Sequence, residues 1–179
     1  DQLSIFQQGA YYGLVFVMVL YNLFLYWQIR DRVYLYYVMY VSTFSLAQMA
    51  LNGFAYQMLW PDSPHWNQIS IAVVTPAIVT FGCIFVCQAL QLKKNAPLFR
   101  GLMMIMAVTG AVLFLASMVF AYHVMIKLVA TLVIVSCSTA LAISYLLWLR
   151  RKMRFAAYFS MAWTVFLFGV VCLAMSKFG

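Results

Sequence analysis

The sequence has no glutamate, and its three aspartates are Asp1, Asp31 and Asp62. All three fall at an end or between apolar runs, so no carboxylate pair is available inside a helix for acid and base chemistry or for a proton relay. Only 8% of the 179 residues are charged. That is too little polar surface to cover a water-soluble globule. Lysine is missing from the middle of every apolar run, which excludes the Schiff base of a retinal-type pigment. The two histidines, His65 and His123, lie in or beside connections. They are not on facing helices as bis-histidine haem ligation needs, and with Asp62 they form no recognised metal spacing. The four cysteines, Cys83, Cys87, Cys137 and Cys172, all fall within apolar runs, where a thiol serves as a small apolar side chain. Neither a cofactor nor a metal is expected, nor catalysis within this stretch of chain.

What is present is hydrophobicity, at 67% of the residues. A helix crosses the roughly 30 Å of bilayer hydrocarbon with about 20 apolar residues, and the apolar runs have that length. Lipid-exposed backbone must satisfy its own hydrogen bonds, so the runs are expected to be helices. Six spans are predicted, at about 5–27, 33–56, 67–91, 102–121, 124–149 and 155–175. The expected fold is therefore an all-α membrane protein, a single bundle of six transmembrane helices occupying residues 1–179.

A net charge of +8 suggests nucleic acid at first sight, but the basic residues collect in alternate connections. Arg30 and Arg32 follow the first span, Lys93, Lys94 and Arg100 the third, and Arg150, Arg151, Lys152 and Arg154 the fifth. These nine share one side, and only Lys127 and Lys177 fall on the other. No nucleic-acid partner is expected, and the positive-inside rule makes the basic side cytoplasmic. Both ends of the chain are then outside. Tyr11, Tyr12, Tyr56, Trp60 and Trp66 fall at the outer boundary, and Tyr26, Trp27, Tyr34, Tyr36, Tyr37, Trp148 and Tyr158 at the inner one, as interfacial aromatic belts do. The chain opens on Asp1 without a cleavable signal pattern and reads as a piece of something longer.

Inside the spans the polar residues are uncharged: Asn22, Gln48, Asn52, Thr75, Thr80, Ser136, Ser138, Thr139 and Ser144. They serve as glue between helices or line a pocket; both readings suit polar groups in lipid. Ser136, Ala140 and Ser144 repeat every four residues, as do Gly9 and Gly13, and such stripes admit a close neighbour, either in the same chain or in a second copy. Pro76 removes a backbone donor from the third span and is expected to kink it. The outer connection LWPDSPHW, with Trp60 and Pro61, is stiff and amphipathic and suits a seat for an outer domain. The inner connection QIRDR makes the first two helices antiparallel neighbours, with Asp31 expected to pair with Arg30 and Arg32 at about 1 kcal/mol or less.

GAYYGLVFVMVLYNLFLYWQIRDRVYLYYVMY at residues 9–40, followed by NGFAYQMLWPDSPHW at 52–66, resembles the bacterial seven-transmembrane receptors with diverse intracellular signalling modules. AYFSMAW, at 157–163, is similar to that family's sixth-helix start, although Ala157 stands where the family often has arginine. The resemblance implies a receptor in the bacterial inner membrane with a periplasmic sensor domain ahead of the bundle. A missing seventh helix would lead to a cytoplasmic histidine kinase or diguanylate cyclase, and lipid is the standing partner. A small-molecule transporter or lipid-binding protein is the competing reading, and a membrane enzyme the third.

Overall fold

The structure is a computed structural model that describes residues 2–151 and 157–165. The five long helices are α1 (Gln2–Ile29), α2 (Arg32–Leu51), α4 (Pro64–Ala89), α6 (Pro97–Ala116) and α7 (Tyr122–Arg151), joined in places by the short α3 (Phe54–Met58) and α5 (Leu92–Asn95). Residues 157–165 are helical as well. Among the described residues there is no strand. Four helices, α1, α4, α6 and α7, are long and apolar enough to cross a membrane. With 20 residues α2 has the length, but its tyrosines, serines, threonine and glutamine make it less apolar. Of the sixth predicted span only 157–165 is described, and Asp1, Lys152, Arg154, Cys172, Lys177 and Gly179 lie outside the described residues.

The chain changes direction where residues adopt left-handed backbone. Gly53 (φ 73°) separates α2 from α3, and Arg30 (φ 57°) and Gln91 (φ 48°) stand at the turns after α1 and α4. The second span therefore ends at Leu51, short of the expected residue 56, because Asn52 and Gly53 break the helix and α3 begins a new one. Left-handed backbone is free for glycine but costs an ordinary residue about 1 kcal/mol.

At the turn between α1 and α2 the expected ion pairs of Asp31 do not form. Its carboxylate Oδ1 accepts the Val33 N–H at 3.0 Å and caps α2. A cap needs a short side-chain acceptor and no countercharge. Asp31→Asn should accordingly leave thermal stability unchanged, whereas Asp31→Ala should lower it by about 1 kcal/mol. A loss on Asp31→Asn equal to that on Asp31→Ala, measured by unfolding in detergent, would restore the ion-pair account.

The hub is α4, which packs against α2, α6 and α7, while α1 leans on α2. Ten residues of α4 are buried, against four each in α2 and α6, so the core lies along this helix. Its middle carries Val79, Cys83, Val86 and Cys87, packed with Met103, Met106 and Ala107 of α6 and with Ala140, Ile143 and Leu147 of α7. Far less of α1 is covered: Leu14, Phe16, Val17, Tyr21 and Phe24 are all more than half exposed, as a helix facing lipid should be.

A cavity and an aromatic cluster at the meeting of four helices

Two glycines set how closely the hub is approached. A Cβ at Gly110 of α6 would lie 2.6 Å from Thr80 Oγ1 and 3.0 Å from the Pro76 carbonyl oxygen of α4, so only glycine allows this crossing. The Thr80 hydroxyl fixes it, sharing its hydrogen between Pro76 O (3.0 Å) and Ala107 O (3.2 Å). Pro76 is buried there, and α4 runs unbroken through it. On the other side of α4, a Cβ at Gly82 would lie 3.2 Å from the Tyr40 ring. Gly82 thus lets one edge of that ring of α2 lie close against the hub.

Tyr40 is the centre of an aromatic cluster that joins three chain segments. Its ring centroid is 6.2 Å from Phe85, nearly parallel to it, 6.3 Å from Phe44 and 6.4 Å from Trp163. Phe85 also meets Tyr37 at 5.5 Å and Phe159 at 6.2 Å, and Phe159 meets Trp163 at 5.9 Å. Offset and tilted pairs at these separations are worth about 0.5–1.5 kcal/mol each beyond their contact area. The YLYYVMY segment of α2 and the AYFSMAW segment at 157–163 therefore meet here through α4. A hydrogen bond of 3.0 Å between the Tyr145 hydroxyl of α7 and Thr164 Oγ1 ties the last segment to the fifth long helix.

Beside the cluster lies a cavity of about 280 Å³, walled by α2, α4, α7, Met103 of α6 and Trp163. Its lining is mostly apolar, with Gln48, Thr75 and Ser136 as polar additions and, among the described residues, no charged one. Thr75 Oγ1 donates to Ile71 O at 2.6 Å and Ser136 Oγ to Val133 O at 3.0 Å, each closing onto its own helix. The Gln48 side chain makes no hydrogen bond among the described residues.

Of the residues singled out from sequence, Ser136, Ala140 and Ser144 are all buried on α7. Ala140 stands both in the core and on the cavity wall, and Ser144 Oγ bonds back to Ala140 O at 2.9 Å. Gly9 and Gly13 face outward, with nothing within 4 Å of a Cβ at either. Asn22 back-bonds to Met18 O at 2.8 Å and lines a separate recess with Asp31. Arg30 and Arg32 are exposed beside that turn, and Pro61 is exposed in the connection between α3 and α4. Trp60 packs edge-on against Trp66 with centroids 6.2 Å apart, while its indole N–H is buried without a partner. A second tie at this end of the bundle runs from Asn52 Nδ2 to the Tyr12 hydroxyl (3.5 Å), with Tyr12 stacked on Phe54. His65 and His123 are exposed, and among the described residues no three potential ligands gather to hold a metal. The important glycines, 82 and 110, were not singled out from sequence: each is isolated, and only the partner helix shows what it admits.

A hub helix clasped by apolar neighbours, with glycine-mediated crossings and four helices long and apolar enough to cross a membrane, fits an α-helical membrane domain. The family model described as 7TM diverse intracellular signalling matches residues 4–179. The chain belongs to that family. No curated protein and no solved structure matches it.

Proposed function

We propose that this bundle is the membrane relay of a receptor, passing a periplasmic stimulus to a cytoplasmic output module of the histidine kinase or diguanylate cyclase type. In this reading the chain crosses the bacterial inner membrane six times, begins and ends outside, and continues through a seventh helix to the output module. A sensor domain precedes it, and catalysis resides in the output module. The observation that carries the reading is the family match over nearly the whole chain.

The distribution of charge supports the orientation. Asp31 shares an inner recess with Gln88 and Gln91, and Tyr36 of α2 shares another with Lys93, Lys94 and Arg100. The basic connections after α1 and α4 thus lie at one end of the bundle, the cytoplasmic end by the positive-inside rule. A relay also needs an element with two arrangements, which a stimulus biases by binding them unequally. Ala140 sits where α7 meets both α4 and the cavity, and a larger side chain there should favour one arrangement.

Ala140→Leu, placed in the full-length receptor, is expected to shift the basal output at least severalfold while the protein still reaches the membrane. Unchanged output and unchanged stimulus response in a normally inserted variant would count against a relay through α7. Reporter fusions after Lys94 and after Asp62 test the orientation: a cytoplasmic reporter should work only at the first and a periplasmic one only at the second.

A further inference from the structure

A space of about 280 Å³ between α2, α4 and α7 is nearly twice the ~150 Å³ cavity that admits benzene. By proportion it takes an occupant of about eleven non-hydrogen atoms. Among the described residues no charged side chain lines it, and an ion moved into such surroundings would keep its full desolvation penalty, so the occupant is neutral. The remaining requirement comes from the polar atoms of the wall. Thr75 and Ser136 have each spent their hydroxyl hydrogen on a carbonyl of their own helix. Two wall residues keep donors that nothing described accepts: the Gln48 amide and the Tyr40 hydroxyl. Eight residues apart, they stand on one face of α2, about 12 Å from each other along its axis. Neither is among the buried side-chain atoms left without a partner, so each stays open to an occupant, and an acceptor on that occupant gains a hydrogen bond.

We infer that this cavity is a binding site for a small neutral carbonyl compound, its apolar body lying among Tyr40, Phe44 and Trp163 and its carbonyl oxygen accepting from Gln48. The bundle would then take a chemical input directly from the lipid phase. This goes beyond the relay reading and does not depend on it.

Acetophenone, a neutral aryl ketone that cross-links to neighbouring C–H bonds under ultraviolet light, serves as the probe. It is applied to the full-length receptor in lipid nanodiscs, and the labelled peptides are mapped by mass spectrometry. Labelling of the α2 and α7 wall peptides should saturate with probe concentration, while labelling of lipid-facing α1 rises linearly. Gln48→Leu should lower the affinity of the saturable component about fivefold, the equivalent of one hydrogen bond of about 1 kcal/mol. Gln48→Asn, which keeps a shortened amide, should recover part of it. Tyr40→Phe, which removes only a hydroxyl, reports whether the second donor contributes. Labelling that spreads over all helices without saturation overturns the site. Saturable labelling indifferent to both Gln48→Leu and Tyr40→Phe overturns the role assigned to the donors. Labelling present in detergent but absent in nanodiscs assigns the space to a lipid chain and overturns the ligand class. None of these readings uses signalling output, so a failure of the relay and a failure of the site remain distinguishable.

Discussion

Gly110→Leu is expected to destabilise the bundle by about 2–3 kcal/mol, whereas Gly101→Leu, earlier on the same helix, should leave it unchanged or slightly more stable. The contrast isolates packing from propensity. Both changes replace glycine by a better helix former, a gain of up to about 1 kcal/mol at either position. At Gly101 nothing lies within 4 Å of a new Cβ, so the gain stands alone. At Gly110 the new atom meets Thr80 Oγ1 and the Pro76 carbonyl oxygen. The second of these is backbone and cannot rotate away, so α4 and α6 must separate. Separation also breaks the shared hydrogen bond of Thr80 to Ala107 and loosens the core around Met103, Met106 and Ala107. Thermal unfolding of the two purified variants in one detergent measures the difference. Equal stabilities would mean that α6 does not cross α4 at this point.

The second large effect is expected at Tyr40. Tyr40→Ala should cost about 2 kcal/mol, while Tyr40→Phe should stay within about 0.5 kcal/mol of the parent. In a water-soluble core the loss of a large aromatic side chain costs about 3–5 kcal/mol, part of it the transfer of apolar surface into water. That part shrinks in a bundle whose solvent is lipid, since the lipid tails are as apolar as the side chain. What remains is lost contact with Gly82, Phe85, Phe44 and Trp163. The hydroxyl has no hydrogen-bond partner among the described residues, so its removal leaves no orphan behind. A cost for Tyr40→Phe as large as that for Tyr40→Ala would move the weight from the ring to the hydroxyl.

The helical class was readable from sequence because the bilayer imposes a minimum apolar length, and the basic connections were readable because lysine and arginine are costly inside apolar spans. The end of the second span was read five residues long because its apolar character continues past Leu51 through Phe54, Ala55 and Tyr56, and only the left-handed backbone at Gly53 shows the break. The same kind of limit governs the site. The stripe at Ser136, Ala140 and Ser144 was legible and is buried, since its period matches a helix face. The GxxxG at Gly9 and Gly13 was equally regular, yet no described side chain or helix approaches it. Periodicity along one helix says which residues share a face but not which helix that face meets. The cavity has no sequence signature for that reason: its walls are ordinary apolar residues drawn from separate helices. Asp31 shows the limit at a smaller scale. Its flanking arginines drew attention to charge, while its position one residue before a helix start decided its role.

Only Arg30 and Asp31 stand between α1 and α2, which leaves the pair almost no mechanical slack. Two residues span at most about 7 Å, and here they are already spent on reversing direction, with Arg30 N–H on Tyr26 O and Asp31 on Val33. Such a hairpin transmits axial displacement as a rigid lever does. A pull of a few ångströms on the leading end of α1 has nowhere to be absorbed at this turn, so α2 must slide or tilt with it. Because α2 carries Tyr40 and Gln48, that stroke would arrive as a change in the shape of the cavity.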